Sequence, residues 1–423
     1  MLSLTTASGQ RVLALPQQHL HRSVITYAVR VGPRYERPET AGVSHFLEHM
    51  LHRGTDRWPS AHEQAVAVES LGCTLDASTG VDHGTLTLTC PPESLEEATE
   101  LLGEITRSPR FSDIDVERGI VHEELLEDRD ERGRLVDPDA LVRERLFGDH
   151  PLGFPIGGTP ATLATFDEPL LRRHHGRHYN TTSSVVAIAG RLPPRARLAK
   201  MVERAFAGHA AGKPLRSARF RRLSQGPGLH IVRAPTSQVS LRLGALGPGH
   251  EHRDEAATEL LLRVVDDGTS TRLYETLCDR LGLCYEVSAA WEAYDEVGLF
   301  DVAAEAQDDA MPRVLAEILT LLRQLAEDGP SADEVQKAKR RARWQAGRAT
   351  DQPEVNADDL ALSALRGEPC TTADRLGRLD AVTPADVRRA ARQLFRPGAF
   401  AVALVGPVSR ATERRARTLL SPS

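Results

Sequence analysis

Hydrophobic and polar side chains alternate along the chain in patterns that predict strands and helices in a regular order. Residues 9–32 predict two strands joined by a polar turn, because VITYAVRV alternates from one position to the next. A helix is expected at residues 44–50 and a second at 60–71. Two strands follow, LDAST at 75–79 and GTLTLTC at 84–90, the latter with leucine inward and threonine outward.

The pattern then becomes helical. PPESLEEATELLGEITRSP, at 91–109, predicts a helix opened by prolines. Ser112 and Asp115 predict a capping box at the start of the next helix, which runs through VERGIVHEELLEDRD. Residues 184–190, SVVAIAG, predict a buried strand that a glycine ends.

The second half of the chain repeats the first. Residues 84–105 align without gaps on 298–319 at an offset of 214, and the segment that begins at Ser112 aligns on the one that begins at Ser331. Each copy therefore predicts a strand pair, a helix, a second strand pair, a long helix and a capped helix. We expect an α+β fold of two homologous α/β-sandwich halves, each a mainly antiparallel sheet with helices packed on it.

A change of composition marks the junction between the halves. Residues 207–228 are rich in Gly, Pro, Ser and Arg and show little periodicity. We place an interdomain linker at 211–228, between an amino-terminal domain at 1–210 and a homologous carboxy-terminal domain at 229–423. A long surface loop within one domain is the alternative.

Composition narrows the class of protein. A chain of 423 residues is too long for one core, and its 40% hydrophobic and 26% charged residues are ordinary for a soluble protein. The net charge of −6 indicates no nucleic-acid or membrane partner. Five scattered cysteines without a CxxC pair indicate reduced thiols and a cytoplasmic location. We also expect no signal peptide and no membrane span, since neither apolar pattern is present.

Candidate chemistry begins at His45, Glu48 and His49. On a helix these three positions share one face, so two imidazoles at i and i+4 can grip one metal ion while Glu48 lies close to a bound water. Zinc in hydrolases usually takes three protein ligands and leaves a fourth position for water. Two histidines therefore need a third donor.

The capped helix supplies a candidate. Glu117 and Glu124 are seven residues apart and share a face, and 74 residues separate His49 from Glu124. Glu124 would complete the metal site, Glu48 would take the proton of a bound water, and Glu117 would hydrogen-bond a ligand histidine. The alternatives are a chance histidine pair and a solvated glutamate face. The second half lacks the histidine motif and has Arg343 opposite Glu124.

With these residues in place, the sequence resembles the inverzincin metallopeptidases of the pitrilysin and insulin-degrading type, in which a glutamate follows HxxEH after about 75 residues. The similarity is carried by GVSHFLEHMLHRGT, by ERGIVHEEL at 117–125, by GDHPLGFPIGGTPATL and by HYNTTSSVVAIAG. It implies that His45, His49 and Glu124 bind one zinc ion per chain, with Glu48 as general base and Glu117 in support.

The length implies a branch of this family. A chain with two such units resembles the mitochondrial processing peptidase beta subunit and its short bacterial relatives, which pair two chains into a clamshell around a peptide. The resemblance implies that an edge strand takes the substrate by strand addition. Its residues here are Leu75, Asp76, Ala77, Ser78 and Thr79. The family commonly has asparagine where this chain has Asp76.

A second departure concerns the carboxy-terminal half. There the family often contributes an arginine, followed seven residues later by a tyrosine, and both help to hold the substrate. This chain keeps Tyr285, but Cys278 stands at the arginine position, and a thiol cannot replace the forked guanidinium donor. We therefore expect a heterodimer whose homologous partner supplies an intact arginine–tyrosine pair. A homodimer in which Arg280 stands in is the alternative.

The leading functional hypothesis is a zinc-dependent endopeptidase that cleaves peptides or unfolded precursor segments, as a processing peptidase does. General oligopeptide degradation is the nearest alternative. A non-catalytic scaffold, like the core subunits of respiratory complex III, and a non-hydrolytic peptide-binding module are two further classes.

Overall fold

The computed structural model of the chain describes residues 1–221, 228–250, 252–367 and 369–421. The strands are β1 Leu2–Thr5, β2 Arg11–Pro16, β3 Ser23–Val29, β4 Thr74–Thr79, β5 Gly84–Cys90, β6 Ser184–Gly190, β7 Gly228–Arg233, β8 Val239–Gly247, β9 Val287–Ala293, β10 Gly298–Ala306 and β11 Phe400–Gly406.

The helices lie mostly between these strands. They are α1 Val43–Met50, α2 Ala61–Ser70, α3 Leu95–Arg107, α4 Ile114–Glu127, α5 Pro138–Phe147, α6 Pro160–Leu163, α7 Glu168–His178, α8 Arg195–Phe206, α9 Glu255–Val265, α10 Arg272–Tyr274, α11 Met311–Glu327, α12 Ala332–Ala349, α13 Pro353–Arg366, α14 Thr372–Ala381, α15 Pro384–Leu394 and α16 Arg410–Leu420. Short 3₁₀ turns lie at Pro33–Tyr35, Pro38–Thr40, Pro92–Ser94 and Pro151–Gly153, and a π-helical turn at Glu275–Arg280. No helix of the described ranges combines the length and apolarity that a membrane crossing requires.

Two sheets with matching topology confirm the predicted fold class. The first has six strands in the order β1-β2-β6-β3-β5-β4, and the second has five in the order β7-β11-β8-β10-β9. Without β1, the two orders correspond strand for strand. In each sheet one pair is parallel, β2 with β6 and β7 with β11, and the others are antiparallel.

The chain packs as two compact units, each assembled from three segments. The first unit comprises Met1–Leu125, Phe154–Ala218 and Ala346–Thr371, and the second comprises the remaining segments, Leu126–Gly153, Arg219–Gln345 and Thr372–Ser423. Each unit thus contains a short segment from the other half of the sequence, Ala346–Thr371 in the first unit and Leu126–Gly153 in the second. The domain boundaries at 1–210 and 229–423, which follow the repeat, stay a prediction, and residues 222–227 of the expected linker lie outside the described ranges.

Each exchanged piece brings a helix to the open face of a sheet. In the first unit, α13 places alanines and leucines against Leu13, Val24 and Ala187. In the second unit, α5 places Leu141 and Val142 against strands β7 and β11. The opposite face of each sheet carries the main hydrophobic core of its unit. Both sheets are therefore covered on both faces.

Two local predictions were wrong. Two of the three outward threonines of β5 are buried, Thr85 at 9% and Thr87 at 8% exposure, because α13 covers that face, where Asp358 accepts a hydrogen bond from Thr87. The capping box at Ser112 is also absent, since its buried Oγ has no partner among the described residues. Asp113 adopts φ 60° instead, and α4 begins one residue later.

Candidate metal centre

Helix α1 holds the histidine motif, and its amino terminus is fixed from both sides. Gly42 precedes the helix at φ 92°, and a Cβ there would lie 2.5 Å from the carbonyl oxygen of Gly157. Only glycine allows this close approach in that conformation. The GlyGly step at 157–158 thus packs directly against the start of the helix.

A buried carboxylate completes that end of α1. Glu36, 6% exposed, accepts hydrogen bonds from the backbone N–H groups of Gly42 at 2.7 Å and Ser44 at 2.8 Å. Carboxylates are favoured at the positive end of a helix, but burial dominates here and raises the pKa of Glu36 to about 7. The Ser44 hydroxyl accepts from the Gly32 N–H and contacts His174 Nε2 at 3.0 Å.

The two motif histidines present their Nε2 atoms to one point. These atoms lie 3.3 Å apart, since positions i and i+4 of a helix are neighbours on one face. Burial, followed by the nearby His49, lowers the pKa of His45 to about 4. His45 is therefore a neutral imidazole at physiological pH, the form that binds a metal.

Glu124 approaches from α4 and closes the group. Its Oε1 lies 3.5 Å from His45 Nε2, and its Oε2 lies 3.5 Å from His49 Nε2. Within the described part of the chain, these three residues form the one group of His, Cys, Asp or Glu side chains with spacing for a metal ion. Side-chain exposures of 13%, 23% and 49% for His45, His49 and Glu124 leave the carboxylate side open.

The spacing of these atoms fits zinc. Ligand atoms about 2.1 Å from a tetrahedral zinc ion lie roughly 3.4 Å from one another. The two Nε2 atoms lie 3.3 Å apart, and each has one oxygen of the Glu124 carboxylate at 3.5 Å, so that one atom from each residue can reach a common ion. Two imidazoles and one carboxylate are also a donor set that zinc uses in hydrolases, with the fourth position left to water.

Glu117 fixes one of the histidines. Its side chain is 6% exposed, and its Oε1 lies 2.8 Å from His49 Nδ1. When Nδ1–H donates to this carboxylate, the lone pair of Nε2 is directed at the metal position. Arg53 donates from Nε to the other oxygen, Oε2, so that the buried charge of Glu117 is compensated.

Arg53 is a residue that sequence reasoning missed. It follows α1 by three positions and meets a carboxylate 64 residues further along the chain. A basic residue just after the predicted helix was the available signal. Nothing local, however, distinguishes it from the many other arginines of the chain.

Strand β4 reaches the site through its last residue. Thr79 Oγ1 donates to Glu48 Oε2 at 2.5 Å, so the candidate base is held by the strand predicted to bind substrate. Leu75 and Ala77 are half-buried against the core of the unit, whereas Asp76 and Ser78 are exposed. Because β4 ends the order of its sheet, its outer edge is available for pairing.

Tyr285 belongs to the second unit, where its side chain is 92% exposed. Cys278, at the expected arginine position, is half-buried in the same unit. Arg280 pairs with Glu275 at 3.3 Å on its own helical turn.

Comparison with known families places these residues in context. The family model described as "Insulinase (Peptidase family M16)" matches residues 11–159, and the model described as "Peptidase M16 inactive domain" matches residues 166–342. The candidate metal ligands fall in the first match, and the half without the histidine motif supplies most of the second.

Relatives of similar length carry related names. An uncharacterized zinc protease of Rickettsia bellii is 25% identical over 95% of this chain and 96% of its own. Uncharacterized zinc proteases of Streptomyces coelicolor and Bacillus subtilis are 28% and 26% identical, over 96% and 95% of this chain and 89% and 97% of their own.

Solved structures show the same fold. A peptidase M16 inactive domain from Pseudomonas fluorescens superposes with a TM-score of 0.86 at 19% identity, covering 96% of this chain and 98% of its own. A protease from Helicobacter pylori gives a TM-score of 0.86 at 18% identity, covering 96% and 99%.

Proposed function

Because this chain belongs to peptidase family M16, we propose that it is a zinc-dependent endopeptidase that cleaves extended peptides or unfolded precursor segments. The observation that carries the proposal is the convergence of His45, His49 and Glu124 on one point, with Glu48 on the helix that holds both histidines. One zinc ion bound there would lower the pKa of a bound water and polarise the scissile carbonyl.

Each neighbouring residue then has a distinct task. Glu48 takes the proton from the attacking water and passes it to the leaving amine. Thr79 donates to Glu48 Oε2 and thereby keeps the carboxylate turned toward the site. Glu117 holds His49 in the tautomer that leaves Nε2 free.

Substrate binding would use β4. An extended peptide adds to this edge through main-chain hydrogen bonds, and the side chains at 75–79 contact alternate residues of the peptide. Thr79, at the end of the strand, would then link the bound peptide to the base. Asp76 is exposed on the strand and would favour peptides with a basic residue near it.

A homologous partner would complete the binding of substrate. Tyr285 is exposed, but Cys278 offers no charged donor, and Arg280 is engaged with Glu275. We therefore propose a heterodimer whose second subunit supplies the arginine–tyrosine pair, in a cytoplasmic peptidase. Mass measurement of the chain purified alone and with a co-expressed homologue from the same organism tests this. Full activity of the pure homodimer would contradict it.

The variant Glu48→Gln tests the catalytic assignment. It should retain zinc, because the ligands are unchanged, and lose peptide cleavage by at least about a hundredfold. The exposed Glu127→Gln on α4 serves as the control. Cleavage at the unaltered rate would refute Glu48 as base, and zinc-independent peptide binding without products would favour a binding module. Restriction to one precursor rather than to many peptides would support processing over general degradation.

A further inference from the structure

We propose that Cys278 and Cys284 form an oxidation-sensitive dithiol, which hydrogen peroxide converts to an intramolecular disulfide. Their sulfur atoms lie 3.8 Å apart in the second unit. That distance is van der Waals contact between two thiols, whereas a disulfide bond is about 2.0 Å long. Closure therefore requires the sulfurs to approach by less than the diameter of one atom.

The backbone enforces this proximity. Cys278 lies in the π-helical turn Glu275–Arg280, and the chain then reverses through Gly282 at φ 57°. The N–H of Leu283 donates to the carbonyl of Leu277 at 2.8 Å. Each cysteine directly follows one member of this bonded pair. The two thiols are thus brought together by the fold of the turn and not by a chance choice of side-chain rotamers.

The environment of the pair allows an oxidant to reach it. Both cysteines are half-buried, with one side packed on the core of the second unit. Burial, and then the proximity of Cys278, raises the pKa of Cys284 to about 12. Because this disfavours the Cys284 thiolate, we assign the attack on the oxidant to Cys278 and the second step to Cys284.

The reaction balances with peroxide as the two-electron oxidant. Cys278 attacks one peroxide oxygen, which yields a sulfenic acid and one molecule of water. The sulfur of Cys284 then displaces the hydroxyl group of the sulfenic acid, and its proton leaves with that group as a second molecule of water. Both cysteines are oxidised by one electron each, and the peroxide is reduced.

A second cysteine pair of the same chain provides an internal comparison. Cys73 directly precedes β4 and Cys90 is the last residue of β5, but they are only 4% and 2% exposed, within the core of the first unit. This burial limits the access of peroxide to them in the folded protein. We expect oxidation to be selective for Cys278 and Cys284.

The disulfide would restrict the backbone next to Tyr285, the residue that follows Cys284. Tyr285 is 92% exposed and directly adjoins Cys284, so the bond would tie the base of this side chain to the helical turn. An effect of oxidation on peptide cleavage rests on the function proposed above. The formation of the disulfide does not.

Mass spectrometry of the full chain tests the proposal. The protein is treated with a small molar excess of hydrogen peroxide, denatured, and alkylated without reductant. Before alkylation we expect a loss of about 2 Da. After alkylation we expect two fewer alkylated thiols and, on digestion, a crosslinked peptide containing Cys278 and Cys284, and dithiothreitol should reverse each change. Cys278→Ser should abolish the loss, and Cys370→Ser should retain it.

Five alkylated cysteines after treatment, a disulfide between other cysteines, or a sulfinic acid at Cys278 would overturn the proposal. These readouts on the unmodified chain do not depend on the folding of a variant. Absence of peptidase activity would count only against the proposed function.

Discussion

Replacing Glu117 by glutamine tests how the metal centre is supported. The carboxylate is 6% exposed, accepts from His49 Nδ1 and carries the ion pair with Arg53. Glutamine keeps the size and one acceptor oxygen but removes the charge. Arg53, whose side chain is 18% exposed, is then left beside a neutral amide. The three proposed ligands, His45, His49 and Glu124, remain unchanged.

We expect Glu117→Gln to lower two quantities, the affinity for zinc and the stability of the fold. Changes to the hydrogen-bond partners of metal ligands cost about 10–100-fold in metal affinity, or about 1.4–2.7 kcal/mol. Leaving one partner of a buried ion pair uncompensated costs about 3–5 kcal/mol, and the partial exposure of Arg53 places the cost in folding stability at about 2–3 kcal/mol. Zinc affinity and thermal stability should therefore both fall.

Competition with a chromophoric zinc chelator measures the affinity, and thermal unfolding of the metal-free chain measures the stability. The control is Glu127→Gln, an exposed glutamate on the same helix. Zinc affinity of Glu117→Gln within about twofold of that control would refute the role of Glu117 in orienting His49.

Two further predictions concern neighbours of the motif helix. Thr79→Val removes a hydrogen bond to the carboxylate of Glu48, so kcat should fall about tenfold while the zinc content stays unchanged. Thr79→Ser keeps the hydroxyl and should restore kcat. A serine variant as impaired as the valine variant would contradict the role of this hydrogen bond. Glu36 has a folded pKa of about 7 against an ordinary value of 4.5, so its contribution to stability is complete below about pH 4.5 and is lost as pH rises to about 7. The loss of stability amounts to about 3 kcal/mol and should be absent from Glu36→Gln. Unfolding midpoints of the unaltered chain and of Glu36→Gln, measured between about pH 4.5 and 7, test this. Parallel pH profiles of the two proteins would count against the effect of the buried carboxyl group.

The repeat and the motif spacing were visible in the sequence because both depend on local periodicity. The alternation in β5 and the offset of 214 between the halves predicted two matching sheets, and the strand orders confirm them. Positions 45 and 49 needed only the geometry of one helix to be placed together. The assignments of individual site residues stay predictions until zinc and activity are measured.

Contacts between distant segments could not be predicted in the same way. The threonines of β5 have the pattern of a solvent-exposed face, yet α13 covers them from more than 260 residues further along the chain. Arg53 and Thr79 find their carboxylate partners only when α1, α4 and β4 have packed together. The sequence shows that such residues are polar, but only the packed structure shows which charged side chains they contact.

Reconstitution of the metal-free chain with zinc tests the central claim most directly. Protein purified from its native host retains any partner subunit, and peptide cleavage is followed as zinc is added back. Cleavage should be lost on chelation and rise in proportion to bound zinc, reaching a plateau at about one ion per chain, whereas His45→Ala should show neither zinc binding at this site nor cleavage. Undiminished cleavage by the metal-free chain, or full zinc binding by His45→Ala, would contradict the account.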